Sequence, residues 1–394
     1  MAEIFSVSNA AELSAALASA QGGDRIELAG GDYGKVSIAN DFASDVTIVS
    51  ADPDDPAIFG ELHINGATHI VFDGLLLDYI HAEGDAAWVT PFTVTNSSFV
   101  TIRNSVIDGD LVGGFGYGKG LLVKHNNNIT IENNEIFNFQ LAISVGNSSD
   151  VVVRANDIHS VRSEGLNSFD VHGLLVEGNW IHDFKTNPAL PEHPDMIQFW
   201  NVVEGQFSEN VTIRGNFLDS GDGNWTQNIL ITNTAPTMTP AEYHQNFLIE
   251  DNIIYNAQIH GISVYQNIDG VQILNNTLLY NLDADAGLPG SGAPRINLGG
   301  TNTSLNVVIE GNIAEHDVTL FQPLPYQIGS NYLVQHSNPN GASYYGNRFV
   351  NALVDGPGLA DLRALPGGEI ETLGVGAEMT RSGIDITLTA GPAH

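Results

Sequence analysis

Ionisable side chains are densest in one segment of the chain, residues 181–200 (IHDFKTNPALPEHPDMIQFW). The candidate catalytic residues lie there and near the short strands that follow: His193, Asp195, Asp222, His260 and Arg295. A pair of carboxyl groups about 5 to 9.5 Å apart can hydrolyse a glycosidic bond. A histidine beside an arginine can instead accept a proton while the arginine offsets an anion. One histidine and one aspartate in His193-Pro194-Asp195 are too few to assign a metal site.

Aromatic, amide and hydroxyl side chains accompany this set. Rings pack on the apolar faces of sugars, and amides and hydroxyls bind sugar hydroxyls. The candidate substrate-binding residues are Gln198, Trp200, Trp225, Asn228, Thr232, Ser263, Tyr265 and Asn297. We expect them to point outward from strands whose inward positions are apolar. The longest insertions, 182–194, 219–227 and 281–294, enter at one edge of these strands, so the sequence predicts a groove over residues 182–300.

A repeat along most of the chain must position these residues. A β-branched run, an asparagine and a second apolar pair recur, as in ITIENNEI (129–136) and VTIRGNFL (211–218). The recurring asparagines are Asn104, Asn134, Asn156, Asn179, Asn216, Asn252, Asn276, Asn312 and Asn347. The runs alternate apolar and polar residues, which is typical of strands. Such small units bury a core only by stacking, with asparagine side chains hydrogen-bonded along one corner.

The repeat resembles the right-handed parallel β-helices of the pectin-lyase-like superfamily over roughly residues 60–350. This resemblance implies an all-β, single-stranded solenoid. Residues 10–20 predict a helix with a capping box of Asn9 and Glu12 and a C-terminal cap at Gly22. With the strands that follow, this opening resembles the N-terminal cap of chondroitinase-B-like lyases.

We therefore expect a cap over residues 1–59, a β-helix with an asparagine ladder over 60–350, and a C-terminal cap or oligomer contact over 351–394. In this last segment, GLADLRALPGG (358–368) predicts a short helix and GIDITLTAG (383–391) a final strand.

Site residues carry weaker resemblances. The order Asp195, His260-Gly261, Arg295-Ile296 resembles the polygalacturonase-like hydrolases, although PDMIQ offers one aspartate where those enzymes carry more. The segment Phe169-Asp170-Val171-His172 resembles the Asp-Pro-His motif of alginate epimerases without its proline, and we interpret it as a routine corner. The lysine and arginine set of chondroitinase-B-like lyases is not recognisable.

Composition excludes several classes of function. The chain carries 13 Lys plus Arg against 46 Asp plus Glu, a net charge of −33, which argues against nucleic acid and anionic membranes. The absence of cysteine excludes disulfides and thiolate chemistry. We expect no membrane insertion and no Sec signal peptide at the start MAEIFSVSNAAEL. No cofactor is required, and the acidic loops leave calcium open as a ligand.

Two functions from different classes fit these patterns. The first is recognition and cleavage of a polysaccharide by a hydrolase or a lyase. The second is a non-catalytic receptor-binding fibre or tailspike of a phage-like particle that binds cell-surface glycans, for which a homotrimer is expected. Either protein is expected to be extracellular or virion-associated. Release of reducing ends from polysaccharides would separate the two.

Overall fold

Parallel coils stack along one axis in the computed structural model. It describes residues 2–187, 189–221, 225–235, 238–283, 290–299, 304–320 and 326–382. Apart from one short hairpin, the strands pair in parallel with those of the coils before and after them. The strands occupy three columns, called here sheets A, B and C in the order in which each coil visits them. The described chain is therefore a parallel β-helix, as the repeat predicts.

Strand bounds follow the three sheets. Sheet A contains Phe92–Thr95, Lys119–Lys124, Asp195–Asn201, Gln227–Asn233, His260–Val264, Arg295–Leu298 and Thr319–Leu320. Sheet B contains Ile4–Val7, Arg25–Leu28, Asp41–Ser50, Thr68–Asp73, Ser98–Arg103, Asn127–Glu132, Glu209–Arg214, His244–Glu250, Ile268–Leu274, Ser304–Glu310 and Gln327–Ile328. Sheet C contains Leu76–Asp78, Val106–Asp108, Glu135–Phe137, Asp157–His159, Trp180–His182, Phe217–Asp219, Ile253–Asn256, Thr277–Tyr280, Ile313–Ala314 and Tyr332–Leu333.

Longer strands bend from one sheet into the next. Gly31–Ile38 and Ala57–Asn65 pass from C into A, and Leu141–Arg154 and Glu164–Glu177 pass from A into B. The short antiparallel hairpin of Asp110–Val112 and Phe115–Tyr117 stands at the edge between sheets C and A.

The inward side chains of sheet A form a continuous apolar core. Ile197 and Phe199 stack in register on Ile229 and Ile231 of the next coil, and all four are buried. Each such side chain contributes about 1.5–3 kcal/mol by leaving water. The predicted inward pairs of the other coils are also buried: Leu121/Val123, Ile143/Val145, Ile262/Val264 and Ile296/Leu298.

An asparagine ladder fills the corner between sheets B and C. Asn216 donates from Nδ2 to Oδ1 of Asn252 at 2.9 Å, and its own Oδ1 accepts the backbone N–H of Asn179 at 3.0 Å. The same contacts link the buried asparagines 134, 156, 179, 216, 252, 276 and 312 in order, and the ladder ends at Asn331. This confirms the predicted ladder for its central members.

Two predicted ladder positions are wrong. Asn104 has φ 52°, and its side chain donates to Asp73 outside the corner. The ladder position is occupied by Ser105, whose N–H donates to Oδ1 of Asn134. Asn347 lies in the short 3₁₀ helix Tyr345–Asn347. The error at Asn104 has a physical cause, since a left-handed residue before the corner also favours asparagine.

A second ladder holds the corner between sheets A and B. The N–H of Ser97 donates to Oδ1 of Asn126, and the N–H of Asn126 donates to the hydroxyl of Ser148. Farther along, the N–H of Ser208 donates to the ring of the fully buried His244. The motif Phe169-Asp170-Val171-His172 lies at this corner, where Asp170 has φ 52°. The corner between sheets C and A carries the long loops.

The N-terminal coil is covered by helix Ala10–Ser19, which buries Leu13 and Leu17. Oδ1 of Asn9 accepts the N–H of Glu12 at 3.0 Å, but the Glu12 carboxylate binds Ser8, so half of the predicted capping box forms. The helix ends at Ala20 in extended conformation rather than at Gly22.

The C-terminal segment folds back over the outer face of sheet C. Tyr345 and Phe349 pack there on Ile253, Tyr255 and other apolar side chains. The predicted helix in residues 358–368 is wrong, because Leu362 anchors a turn and the helices are Glu369–Leu373 and Glu378–Ser382. A further 3₁₀ helix spans Pro240–Glu242. The predicted strand 383–391 lies outside the described residues. Within the described ranges, no helix combines the length and apolarity needed to cross a bilayer.

Candidate functional site

The candidate site lies along the strand edge where the chain enters sheet A. Glu164, Asp195 and Gln227 occupy one position on three successive coils. His260 and Arg295 pair at the same edge two and three coils beyond Asp195. Because coils are separated by about 4.8 Å, the five side chains span about 19 Å. The register thus gathers Asp195, His260 and Arg295 on one edge, as the sequence predicts.

Asp195 sits at the bottom of the site. Its side chain is 0% exposed; Oδ2 accepts from Gln198 Nε2 at 2.7 Å and lies 3.2 Å from His193 Nδ1. Its Oδ1 has no hydrogen-bond partner among the described residues. Burial raises the pKa of the Asp195 carboxyl, against the contacts with His193 and Gln198. The sequence predicts that Asp195 is exposed, but its carboxyl is buried and orients His193 and Gln198.

His193 is the exposed partner of Asp195. Its side chain is 56% exposed, and its Nε2 lies 2.9 Å from the Gln227 amide nitrogen, which donates to the ring. The hydrogen bond to Asp195 raises the pKa of His193 above its ordinary value, against partial desolvation. The imidazole is thus held at both nitrogens, and Asp195 stabilises its cationic form. In that form Nε2 donates, so the Gln227 side chain turns its amide oxygen toward the ring.

His260 differs from His193 in that its pKa is lowered rather than raised. Its Nδ1 lies 2.9 Å from the Tyr265 hydroxyl and 3.3 Å from that of Ser263. Burial lowers the pKa of His260, and the nearby His193 lowers it further. Burial raises the pKa of Tyr265, so its hydroxyl keeps its proton. The pair is a neutral imidazole hydrogen-bonded to a phenol.

Glu164 is a site residue that the sequence analysis missed. It lies one coil before Asp195 in register, and burial raises its pKa to about 7, with the charge of Asp195 adding to the shift. Its strand begins with a single apolar inward residue, Leu166, and the next inward position is Ser168. The coil therefore lacks the apolar pair used to align the others.

The predicted substrate-binding residues divide by exposure. Trp200 is 48% exposed and donates from Nε1 to Thr234, and Trp225 and Tyr265 are half-buried. Five other predicted residues are buried: Gln198, Asn228, Thr232, Ser263 and Asn297.

Asn228 is a correction to the predicted outward row. It faces the interior, where it contacts Met196, because Gln227 takes the edge position. Asp222 lies outside the described residues.

A buried ion pair holds the loop that carries His193. Glu192 accepts from Arg162 Nη2 at 2.9 Å and Nε at 3.1 Å, and from Gln140 Nε2 at 3.1 Å. Arg162 also donates to the carbonyl of Gly116 in the hairpin. The side chains of Arg162 and Glu192 are 13% and 18% exposed. This bidentate pair fixes the end of loop 183–194 against the coils before it.

The distribution of cations sets this edge apart. Eight Lys and Arg residues form ion pairs with carboxylates: Arg25, Lys35, Arg103, Arg154, Arg162, Arg214, Arg348 and Arg381. Across the described ranges, the cations that form no ion pair are Lys119, Lys124, Lys185 and Arg295. Three of them lie on strands of sheet A, and Lys185 lies in loop 183–194. In a chain of net charge −33, the unpaired cations therefore lie on sheet A or in a loop that enters it.

The described residues contain no group of three or more His, Asp or Glu side chains arranged to hold a metal ion. Calcium binding therefore stays a prediction from the acidic loops.

Comparisons with known proteins agree on the fold. Residues 92–278 match the family model described as right handed beta helix region. The polysaccharide lyase of family PL6 from Pseudopedobacter saltans is similar in structure, with TM-score 0.52, 15% identity and coverage of 86% of this chain and 95% of that chain. A mutant of the PL6 alginate lyase AlyGC gives TM-score 0.51, 15% identity and coverage of 86% and 52%. No curated protein matches in sequence.

These likenesses establish the class of the protein. It is a right-handed parallel β-helix protein, as its repeat predicts. The chain spans about half the length of AlyGC.

Proposed function

We propose that the protein binds a polysaccharide along sheet A and cleaves it as a lyase, by removing a proton next to a carboxylate of the chain. One observation carries the proposal: His193 and His260 face the same edge with pKa values shifted in opposite directions. Groups whose environments separate their pKa values are the acid and base of a site. Here the neutral ring is the base and the cationic ring stabilises negative charge.

The chemistry follows from the contacts of His260. In the tautomer that donates from Nδ1 to Tyr265, Nε2 is free to accept the proton on the carbon next to a uronate carboxylate. The carbon–hydrogen electrons form a double bond and expel the glycosidic oxygen. Tyr265 donates its proton to that oxygen, and protonated His260 returns a proton to Tyr265. His193 and Arg295 stabilise the carboxylate on which charge accumulates.

Hydrolysis has less support. It requires an accessible carboxyl pair, and Asp195 is 0% exposed. The carboxyl beside it in register, that of Glu164, is half-buried. At most one carboxyl of that pair is thus accessible. Proton abstraction needs no second carboxyl, and it uses the exposed His193 with the half-buried His260 and Tyr265.

The similar structures supply the first substrates to test. Two β-helix proteins similar to this chain with TM-scores above 0.5 are described as a polysaccharide lyase and an alginate lyase. Alginate and other uronate polymers are therefore the first candidates. Such substrates place the protein outside the cell or on a particle surface, which is its proposed location.

Glycan binding without cleavage is the second candidate. Trp200 favours it, because an indole that is 48% exposed on a strand of sheet A offers a platform for a sugar ring. In this case the protein is a receptor-binding fibre, for which a homotrimer is expected.

The experiment is a screen of alginate, polygalacturonate, chondroitin and neutral dextran for two products. A lyase generates an unsaturated sugar that absorbs in the ultraviolet together with new reducing ends, a hydrolase generates reducing ends alone, and a binder generates neither. The variants His260→Ala and Tyr265→Phe should abolish the unsaturated product. The control is His172→Ala, at another corner. Reducing ends without unsaturation, or no product from any polymer, would overturn the lyase proposal.

A further inference from the structure

The outer face of sheet A continues well beyond the candidate site. Gln198 stacks in register on Asn167 and then Ser144 of the coils before it. The same position passes through Leu122 to Thr93 in the strand Phe92–Thr95. Four coil steps separate this strand from that of Asp195, about 19 Å along the axis. A polymer lying on the site along the axis would therefore pass over these earlier coils.

An exposed tryptophan stands at the far end of this face. Trp88 is 72% exposed and lies in loop 79–91, which enters sheet A at the same edge as loop 183–194. Scattered exposed apolar side chains are ordinary, but a tryptophan with this much accessible ring is a common anchor for ligands.

Hydrogen bonds hold that loop in place. The Asp85 carboxylate accepts from the Tyr79 hydroxyl at 2.6 Å, and the Tyr117 hydroxyl donates to the Asp85 carbonyl at 2.6 Å. The N–H of Lys119 donates to the carbonyl of Val89 at 2.7 Å. Trp88 is thus presented by a fixed backbone, which reduces the entropy lost when a ligand binds.

Two of the unpaired lysines lie on the next coil. Lys119 and Lys124 are the ends of one strand of sheet A, and neither forms an ion pair among the described residues. Lys124 instead lies 5.9 Å from the centre of the Phe169 ring. Two cations that form no ion pair stand out where acidic residues outnumber basic ones by 46 to 13, although the charge of Lys119 acts on Glu164 and counters the burial that raises its pKa. Lys119 provides positive charge at the edge that carries Trp88, and Lys124 provides it at the opposite end of the strand, about 16 Å away.

We propose that Trp88, Lys119 and Lys124 form a second glycan-binding subsite, which holds an anionic sugar of the same polymer chain that occupies the candidate site. The indole packs on the ring face, and Lys119 binds the carboxylate or sulfate beside it. Lys124, about 16 Å away, binds a second charged group of the same chain. This inference rests on the proposed function and adds to it a direction: the bound chain runs from His260 toward the N-terminal coils. Charge complementarity and the continuous outer face of sheet A support this occupant.

A protein partner is the alternative occupant. The same loop exposes Ile80, and the neighbouring hairpin exposes Leu111 and Val112. Aliphatic side chains lack a flat ring and gain less from a sugar. Binding of a glycan should therefore depend on Trp88, and binding of a protein should depend on Ile80.

The test measures binding of alginate oligosaccharides of increasing length, from dimer to octamer, in a His260→Ala background that prevents cleavage. Affinity should rise with length. Trp88→Ala should lower the affinity for the octamer about 2- to 10-fold and leave the affinity for the dimer unchanged. Lys119→Ala with Lys124→Ala should flatten the salt dependence of octamer binding. Matched controls are Ile80→Ala on the same loop and Phe99→Ala, a 47% exposed ring at the corner between sheets A and B.

The outcomes separate the two proposals. If no alginate, polygalacturonate or chondroitin oligosaccharide binds, the proposed function fails and the subsite falls with it. If the octamer binds more tightly than the dimer in every variant alike, the subsite is overturned while the proposed function stands. A loss of octamer affinity in Ile80→Ala equal to that in Trp88→Ala also overturns it.

Discussion

Arg162 and Glu192 should contribute far more to stability than an ion pair on the surface does. Two charge-assisted hydrogen bonds join them at 2.9 and 3.1 Å. At about 1.5 kcal/mol each, they give a coupling free energy of about 3 kcal/mol. The matched control is Arg214 with Glu177, which are 2.6 Å apart, with side chains 46% and 34% exposed. Exposed pairs of this kind contribute about 0.2–1 kcal/mol.

The assay is a double-mutant cycle for each pair, with Arg→Met and Glu→Gln substitutions and unfolding by urea. A second readout is the pKa of His193, followed by NMR, which should move from its raised value back toward the ordinary 6.5 when Arg162→Met releases loop 183–194. A coupling energy no larger than that of the surface pair would refute the reasoning. An unchanged titration of His193 would show that the ion pair does not position it.

Three further predictions concern stability. Burial lowers the pKa of His182, but hydrogen bonds to Asp157 and Asp183 outweigh it and raise the value to about 9. The stabilisation is therefore complete below the ordinary pKa of 6.5 and lost as pH rises through 9, so His182→Gln should lower the melting temperature at pH 6 but not at pH 10. Asn216→Ala leaves a buried N–H and carbonyl unpaired and should cost about 2–6 kcal/mol in urea unfolding, against little for the exposed Asn340→Ala. Because self-repulsion is screened within about 8 Å at 0.15 M salt, the melting temperature should rise with NaCl, and a flat response would contradict this.

The fold was accessible from the sequence because its signals are local and repeated. Each coil carries its own alternating strand and its own ladder asparagine, such as Asn179 or Asn252. The same prediction is therefore supported independently by several copies of the repeat. The prediction failed where one residue type serves two purposes. Asn104 was taken for a ladder member because left-handed backbone before the corner favours asparagine as strongly as the ladder does.

The site was predicted less completely, because strand alternation tells which way a side chain points and not what covers it. Gln198 and Ser263 face outward from the coil but are buried beneath their neighbours. The pairing of His193 with Asp195 and Gln227 depends on the path of loop 183–194, which no periodic signal encodes. Glu164 was missed because its coil lacks an apolar pair, although its position next to Asp195 follows once the register is known.

The contrast between the corners has a consequence for how such a protein can evolve. At the corner between sheets B and C, each coil is bound to its neighbours by the asparagine ladder, so an inserted residue there would interrupt hydrogen bonds above and below it. The corner between sheets A and B accepts loops 202–208 and 234–243, and the corner between sheets C and A tolerates connections as short as that after Phe137 and as long as that after His182. Insertions at the corner between sheets C and A can therefore accumulate without disturbing the core. Natural variation, and deliberate grafting of loops from other β-helix proteins, should change specificity at that edge while leaving the scaffold intact.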